Sequence, residues 1–180
     1  MIGLRCFEGC SCLKKVLFES PCFIKNILDY AFHDCSSLIE ITIPTSVISI
    51  GMNCFNNCKS LQKVSFEKES SVSILNQYAF SGCVSLEELI IPPSVTDIKW
   101  YCFENCLSLK QIEIPSSVSS IGDFAFKNCS SIKKILIPSS VKLIGFDLFD
   151  GCTALKEIRI PQSASLLSIG KKYNGNVIYI

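Results

Sequence analysis

The string Phe-x-x-Cys occurs seven times in this chain, with its cysteine at Cys10, Cys35, Cys58, Cys83, Cys106, Cys129 and Cys152, in steps of 25, 23, 25, 23, 23 and 23 residues. A period of this size, held over six steps, constrains the fold more than any other property of the chain. A unit of two dozen residues cannot bury its own apolar face and must stack on its neighbours, so the expected architecture is a solenoid with one rung per repeat. Composition agrees with this. The 180 residues are 48% hydrophobic and 18% charged, with 17 basic against 16 acidic side chains. That balance excludes a disordered tail, and it lacks the excess of Lys and Arg that phosphate binding requires. No nucleic-acid partner is expected.

Aligned on the cysteine, one rung reads Cys-x-Ser-Leu-x-x-Ile-x-Ile-Pro-x-Ser-Val-x-x-Ile-Gly-x-x-x-Phe-x-x, and residues 106–128 fit it closely. The Leu-x-x-Ile-x-Ile segment ends in the alternation of a half-buried strand, and Pro44, Pro92, Pro115, Pro138 and Pro161 stop that strand by removing an amide donor. The short piece before each cysteine predicts one helical turn. The residue just before each cysteine is Gly9, Asp34, Asn57, Gly82, Asn105, Asn128 or Gly151, the types that best tolerate positive φ, so the column reads as a left-handed cap.

These columns resemble the leucine-rich repeats of the BspA type, over roughly residues 1–161. The resemblance implies an α/β leucine-rich-repeat solenoid, horseshoe-like, with one parallel strand and a short helical turn per rung of 23–25 residues. It also implies a surface antigen concerned with cell adhesion or host-protein interaction, without common catalytic residues. Seven rungs, the first partial, are expected over 1–161. Residues 162–180 read as an irregular last rung, with Asn174-Gly175 signalling a hairpin cap. The start, MIGLRCFEGC, reads as the second half of a rung and not as a signal peptide. An intracellular adaptor is therefore an open alternative to the cell surface, and end-to-end self-association through the first rung is open too. No uninterrupted apolar run suggests a membrane span.

Ten of the twelve cysteines fall in two columns that want small apolar side chains, the seven above together with Cys6, Cys54 and Cys102. The Cys-x-x-x-Cys spacings that look like metal ligands follow from those two columns, so no metal or cofactor is expected. Cys12 and Cys22 lie outside them and are the thiols expected to be exposed. His33 stands in a variable column and is expected to be solvated. With no second histidine, no catalytic pair is available and no enzyme is expected. Asn128-Cys129-Ser130 is formally a glycosylation acceptor whose middle residue belongs to the core column.

The outward strand columns carry the functional expectations. One runs Lys15, Glu40, Lys63, Glu88, Gln111, Lys134, Glu157, and its alternating sign predicts a charge ladder that fixes rung register. The next runs Leu17, Thr42, Ser65, Ile90, Glu113, Leu136, Arg159 without such order. Its mixed character makes Ile90, Glu113, Leu136 and Arg159 candidate protein contacts. A second candidate patch gathers Tyr78, Tyr101 and Phe124, which share one turn column, flanked by Trp100 and Phe146. After Phe18 and Phe66 the proline is replaced and two residues are inserted. The resulting loops, 19–22 and 67–70, should stand about 10 Å apart on one edge.

Overall fold

The computed structural model describes residues 1–162 and 175–180. It is a parallel β-solenoid in which each regular rung makes three runs. The long strands come first: β2 (Glu40–Ile43), β4 (Lys63–Phe66), β6 (Glu88–Ile90) and β8 (Gln111–Glu113) form one parallel sheet. Beside β8 lies β10 (Lys134–Leu136), which opens a second sheet with β12 (Glu157–Ile160) and β13 (Asn176–Tyr179). After each long strand, a turn brings the chain to a second strand of only two residues. These are β1 (Asn26–Ile27), β3 (Ser49–Ile50), β5 (Ile74–Leu75), β7 (Asp97–Ile98), β9 (Ser120–Ile121) and β11 (Leu143–Ile144), paired in that order. At the first long-strand position Lys15 bridges to Glu40 in parallel, and Ile2 bridges to Ile27 at the head of the short-strand sheet.

The third run corrects the expectation of a helical turn. No helix is present among the described residues. From Leu28 to Cys35 three turns overlap instead, with Ala31, His33 and Cys35 donating to the carbonyls of Leu28, Tyr30 and Phe32. The intervening amides of Tyr30, Phe32 and Asp34 donate to Met52, Cys54 and Asn56 of the next rung. Alternate amides thus close the turn and tie the stack. Two positions per rung are left-handed. The column before the cysteine has φ between 57° and 75°, as its residue types imply; the other, four residues earlier, holds Arg5, Tyr30, Asn53, Tyr78, Tyr101, Phe124 and Asp147 at φ 50–58°. A positive φ every fourth residue cannot propagate a helix. Spacing explains why stacking wins: packed helices need about 8–10 Å, whereas rungs joined by strands are about 4.8 Å apart.

Down the axis runs a column of stacked rings, Phe7, Phe32, Phe55, Phe80, Phe103, Phe126 and Phe149, with centroids 5.2–5.7 Å apart and planes within 13°. Phe32 through Phe126 are fully buried. Ile, Leu and Val from both strand types close around them. The short strands carry β-branched Ile but no alternation, which is why only one strand per rung was expected. At the C-terminal end, Asn174 lies outside the described residues. The strand that follows, β13, pairs in parallel with β12, from Glu157 opposite Asn176 to Ile160 opposite Tyr179.

The charge ladder is present in part. Lys15 Nζ lies 2.9 Å from Glu40 and Lys134 Nζ 3.8 Å from Glu157, while Lys63 and Glu88 are register partners. Lys15, and then Lys63, hold the Glu40 carboxyl below its usual range. A second ladder contact, Lys110 to Glu87 at 2.6 Å, lies one column away. Glu88→Lys would face Lys63 with like charge. The expected loss is about 0.2–1 kcal/mol, about 1–4 °C in melting temperature, fading in high salt. An identical melting curve at low ionic strength would remove the ladder from the account.

Candidate functional site: the outward face of the long-strand sheets

Ile90, Glu113, Leu136 and Arg159 all project from the long strands and are exposed. In register, Ile90 stands beside Glu113 and Leu136 beside Arg159. Ile90 is 77% exposed and Leu136 50%, high values for apolar side chains in the middle of a sheet. The alternation of the strands produces this: Leu89, Ile112, Ile135 and Ile158 take the inward positions and leave the residues between them outside. Arg159 Nε is held 3.1 Å from Glu157 Oε1, which orders the guanidinium along the face. Because strand neighbours occupy the backbone hydrogen bonds, the face offers only side chains to a partner.

Tyr78, Tyr101 and Phe124 form a second stack at the turns, with centroids 4.9 and 5.0 Å apart. All three are half-buried; Tyr101 is covered on both faces by its neighbours, while Tyr78 and Phe124 each stack on it by one face. Burial raises the phenols of Tyr78 and Tyr101 above their ordinary range. Lys127 Nζ stands 5.3 Å from the Phe124 ring centre. Trp100 and Phe146, 55% and 59% exposed, are the most exposed side chains of this patch.

Each buried rung cysteine has a specific role. Cys35, Cys58, Cys83, Cys106, Cys129 and Cys152 donate through Sγ, at 3.0–3.2 Å, to the phenylalanine carbonyl of the preceding rung. Burial drives up the Cys35 thiol to about 11, and those of Cys54, Cys58, Cys83, Cys102, Cys106 and Cys152 still further. All twelve cysteines are free. Cys12 is exposed and Cys22 half-buried, and Cys6 and Cys10 are exposed as well.

His33 also departs from expectation. It is half-buried, with Nδ1 shielded from solvent 3.4 Å from Glu8 and 3.2 Å from Asp34, and its ring meets Tyr30 edge-on. Stacking at strand spacing covers a column that would have been open beside a helix. Asn128 is likewise engaged, its Nδ2 donating to Asn105 Oδ1 at 2.8 Å while Gly151 packs against its Oδ1. Among the described residues, no group of three or more His, Cys, Asp or Glu could hold a metal ion, and no helix is long and apolar enough to cross a membrane.

A family model described as the BspA type leucine rich repeat region, in six copies, matches residues 1–72 and 65–176. The chain belongs to the BspA-type leucine-rich-repeat family. Such repeats generally bind proteins and are typically non-catalytic scaffolds. A leucine-rich repeat protein from Bacteroides ovatus is 32% identical, with a TM-score of 0.73 over 89% of this chain and 46% of its own. A leucine rich cell surface protein from Faecalibacterium prausnitzii is 28% identical, with a TM-score of 0.57 over 79% of this chain and 45% of its own. The pneumococcal vaccine antigen PcpA, at 23% identity and a TM-score of 0.57 over 89% of this chain and 48% of its own, shares the fold. The chain thus spans about half the length of these relatives. No curated protein sequence matches it.

Proposed function

We propose that this BspA-type array is a non-catalytic protein-binding module that acts in attachment at a cell surface, through the outward face bearing Ile90, Glu113, Leu136 and Arg159. The observation that carries the reading is the exposure of Ile90 and Leu136 among charges on a sheet whose backbone is already paired. Isolated apolar side chains on a surface need no explanation, but Ile90 and Leu136 on one column of a rigid face resemble interface anchors. The cell-surface relative adds support for placement.

The test is adhesion of beads carrying the chain to immobilised extracellular-matrix proteins and to cultured epithelial cells. Ile90→Asp combined with Leu136→Asp should abolish adhesion, while Trp100→Ser combined with Phe146→Ser should leave it unchanged. The reverse pattern would move the interface to the aromatic turns, and no adhesion by any form would defeat the reading. One observation favours a second reading, an intracellular adaptor using the same face: all twelve cysteines are free, as reducing compartments require. Protease shaving of intact cells separates the two, since only a surface protein is cleaved. We propose in addition a C-terminal cap over 162–180 and end-to-end association through the first rung, which sedimentation at rising concentration would reveal as a growing mass.

A further inference from the structure

Rung by rung, the outward face of the long-strand sheets carries opposite charge on the two sides of β8. The rung before β8 exposes Glu87, Glu88 and Ile90, and the rung after it exposes Lys133, Lys134 and Leu136. The same three positions thus read acid, acid, apolar on one side and base, base, apolar on the other. One rung further out, Lys63 on β4 is matched by Glu157 on β12. Between them Gln111, on β8, interrupts the alternating charge column. Lys110, Lys133 and Lys156 follow one another in the adjacent column, an arrangement of like charges that is destabilising within one chain. Lys133 and Lys156 have no ion-pair partner among the described residues, and residues 163–174 include no Asp or Glu.

We infer that this face recognises a second copy of the chain, the two sheets stacking face to face about a two-fold axis that lies along β8. Such an axis sets each outward residue against the same strand position of the rung equally far on the other side of β8, with the strands of the two sheets aligned. Glu87 then faces Lys133 of the copy, Glu88 faces Lys134, Ile90 faces Leu136 and Lys63 faces Glu157, and each contact is made twice. The register is selective. An axis half a rung away sets Lys63 against Lys134 in one direction and Lys110 against Lys133 in the other. A recess of about 570 Å³, lined by Gln62, Lys63, Glu87, Glu88, Lys110 and Gln111, lies on the acidic side, where Lys133 and Lys134 of the copy would enter. At the axis Gln111 meets Gln111, an amide pair that both donates and accepts. Lys110 meets Lys110 there, each held 2.6 Å from its own Glu87, and Glu113 meets Glu113. Five rungs by four residues make a patch of about 24 Å by about 13 Å, smaller than the about 800 Å² per partner of a standard interface. Pairing is therefore weak between single molecules and gains from many copies on two apposed surfaces. The inference rests on the protein-binding reading above and names its partner.

The test is sedimentation of the full chain at low salt and millimolar concentration. The mass should stop at twice that of the monomer, because a two-fold contact closes on itself, whereas end-to-end association keeps growing. High salt should dissociate the dimer. Glu87→Lys with Glu88→Lys sets base against base, and Lys133→Glu with Lys134→Glu sets acid against acid, so each variant alone should be monomeric. Mixed in equal amounts, the two should regain the wild-type dimer, because every facing charge is then opposed by its counterpart, and this recovery also shows that both are folded. Glu113→Gln, which removes the facing acids at the axis, should tighten pairing severalfold. A wild-type chain that stays monomeric, a mixture that does not pair, or a Glu113→Gln variant that pairs no more tightly would overturn the inference. If beads still adhere to matrix or cells while the mixed variants do not pair, the module reading stands and only self-recognition falls; if Ile90→Asp with Leu136→Asp alters neither adhesion nor pairing, both fall.

Discussion

Phe103→Ala is expected to be the most damaging single substitution in the core. The ring is fully buried and stacks on Phe80 at 5.5 Å and on Phe126 at 5.6 Å. Truncating a buried phenylalanine costs about 3–5 kcal/mol, and the two stacked contacts lie toward the upper end of that range. In a solenoid each rung touches only its neighbours, so a lesion in the middle uncouples the two halves. The expected outcome is a fall in midpoint large enough for urea unfolding to show two transitions, one for each side. Phe103→Leu, which keeps most of the volume, should lose far less. A single transition with an unchanged midpoint in the alanine variant would mean that the ring column is not what holds the array together.

Alkaline instability should be almost as large. Seven thiols, those of Cys35, Cys54, Cys58, Cys83, Cys102, Cys106 and Cys152, are raised from an ordinary value of 9.0 by burial. Above that pH the unfolded chain releases protons that the folded chain keeps. Their contribution is therefore intact below about pH 9 and is lost as pH rises. Every such thiol adds to the loss, and seven acting together make it large against the about 5–15 kcal/mol that holds a whole domain. Urea unfolding under reductant should show stability dropping steeply between pH 9 and 10, with a slope approaching seven protons, and Cys83→Ala should remove one of them. Stability that is flat to pH 10 would contradict the buried ladder. The same burial predicts that Cys6, Cys10, Cys12 and Cys22 react with a thiol reagent in the native protein, while the eight buried cysteines react only on unfolding.

The features readable in the sequence were those with a recurring residue type. Phe-x-x-Cys set the rung, proline ended the long strand, and Gly, Asn or Asp announced one left-handed column. The second left-handed column was hidden because Tyr, Phe and Arg occupy it as readily as Asn and Asp. A bulky residue at positive φ costs about 1–2 kcal/mol, and here the hydrogen bond its amide donates to a carbonyl of the next rung, together with the Tyr78–Tyr101–Phe124 stack, offsets it. Neither is a local property. The same holds for the candidate site. The outward positions of Ile90, Glu113, Leu136 and Arg159 followed from alternation, but which of them stand side by side depends on the register between rungs.

Alternate turn amides bond to the following rung, and the intervening ones bond within their own. Each 23-residue unit therefore presents the same donors and acceptors above and below. Recombination between copies in the same phase would restore every junction, so the array can lengthen or shorten by whole rungs without new folding solutions. Its reach is then a quantity that unequal exchange can tune. The 25-residue rungs are the exception, because their inserted loops move with them, and exchanging those two units would relocate or duplicate a loop along the edge of the face.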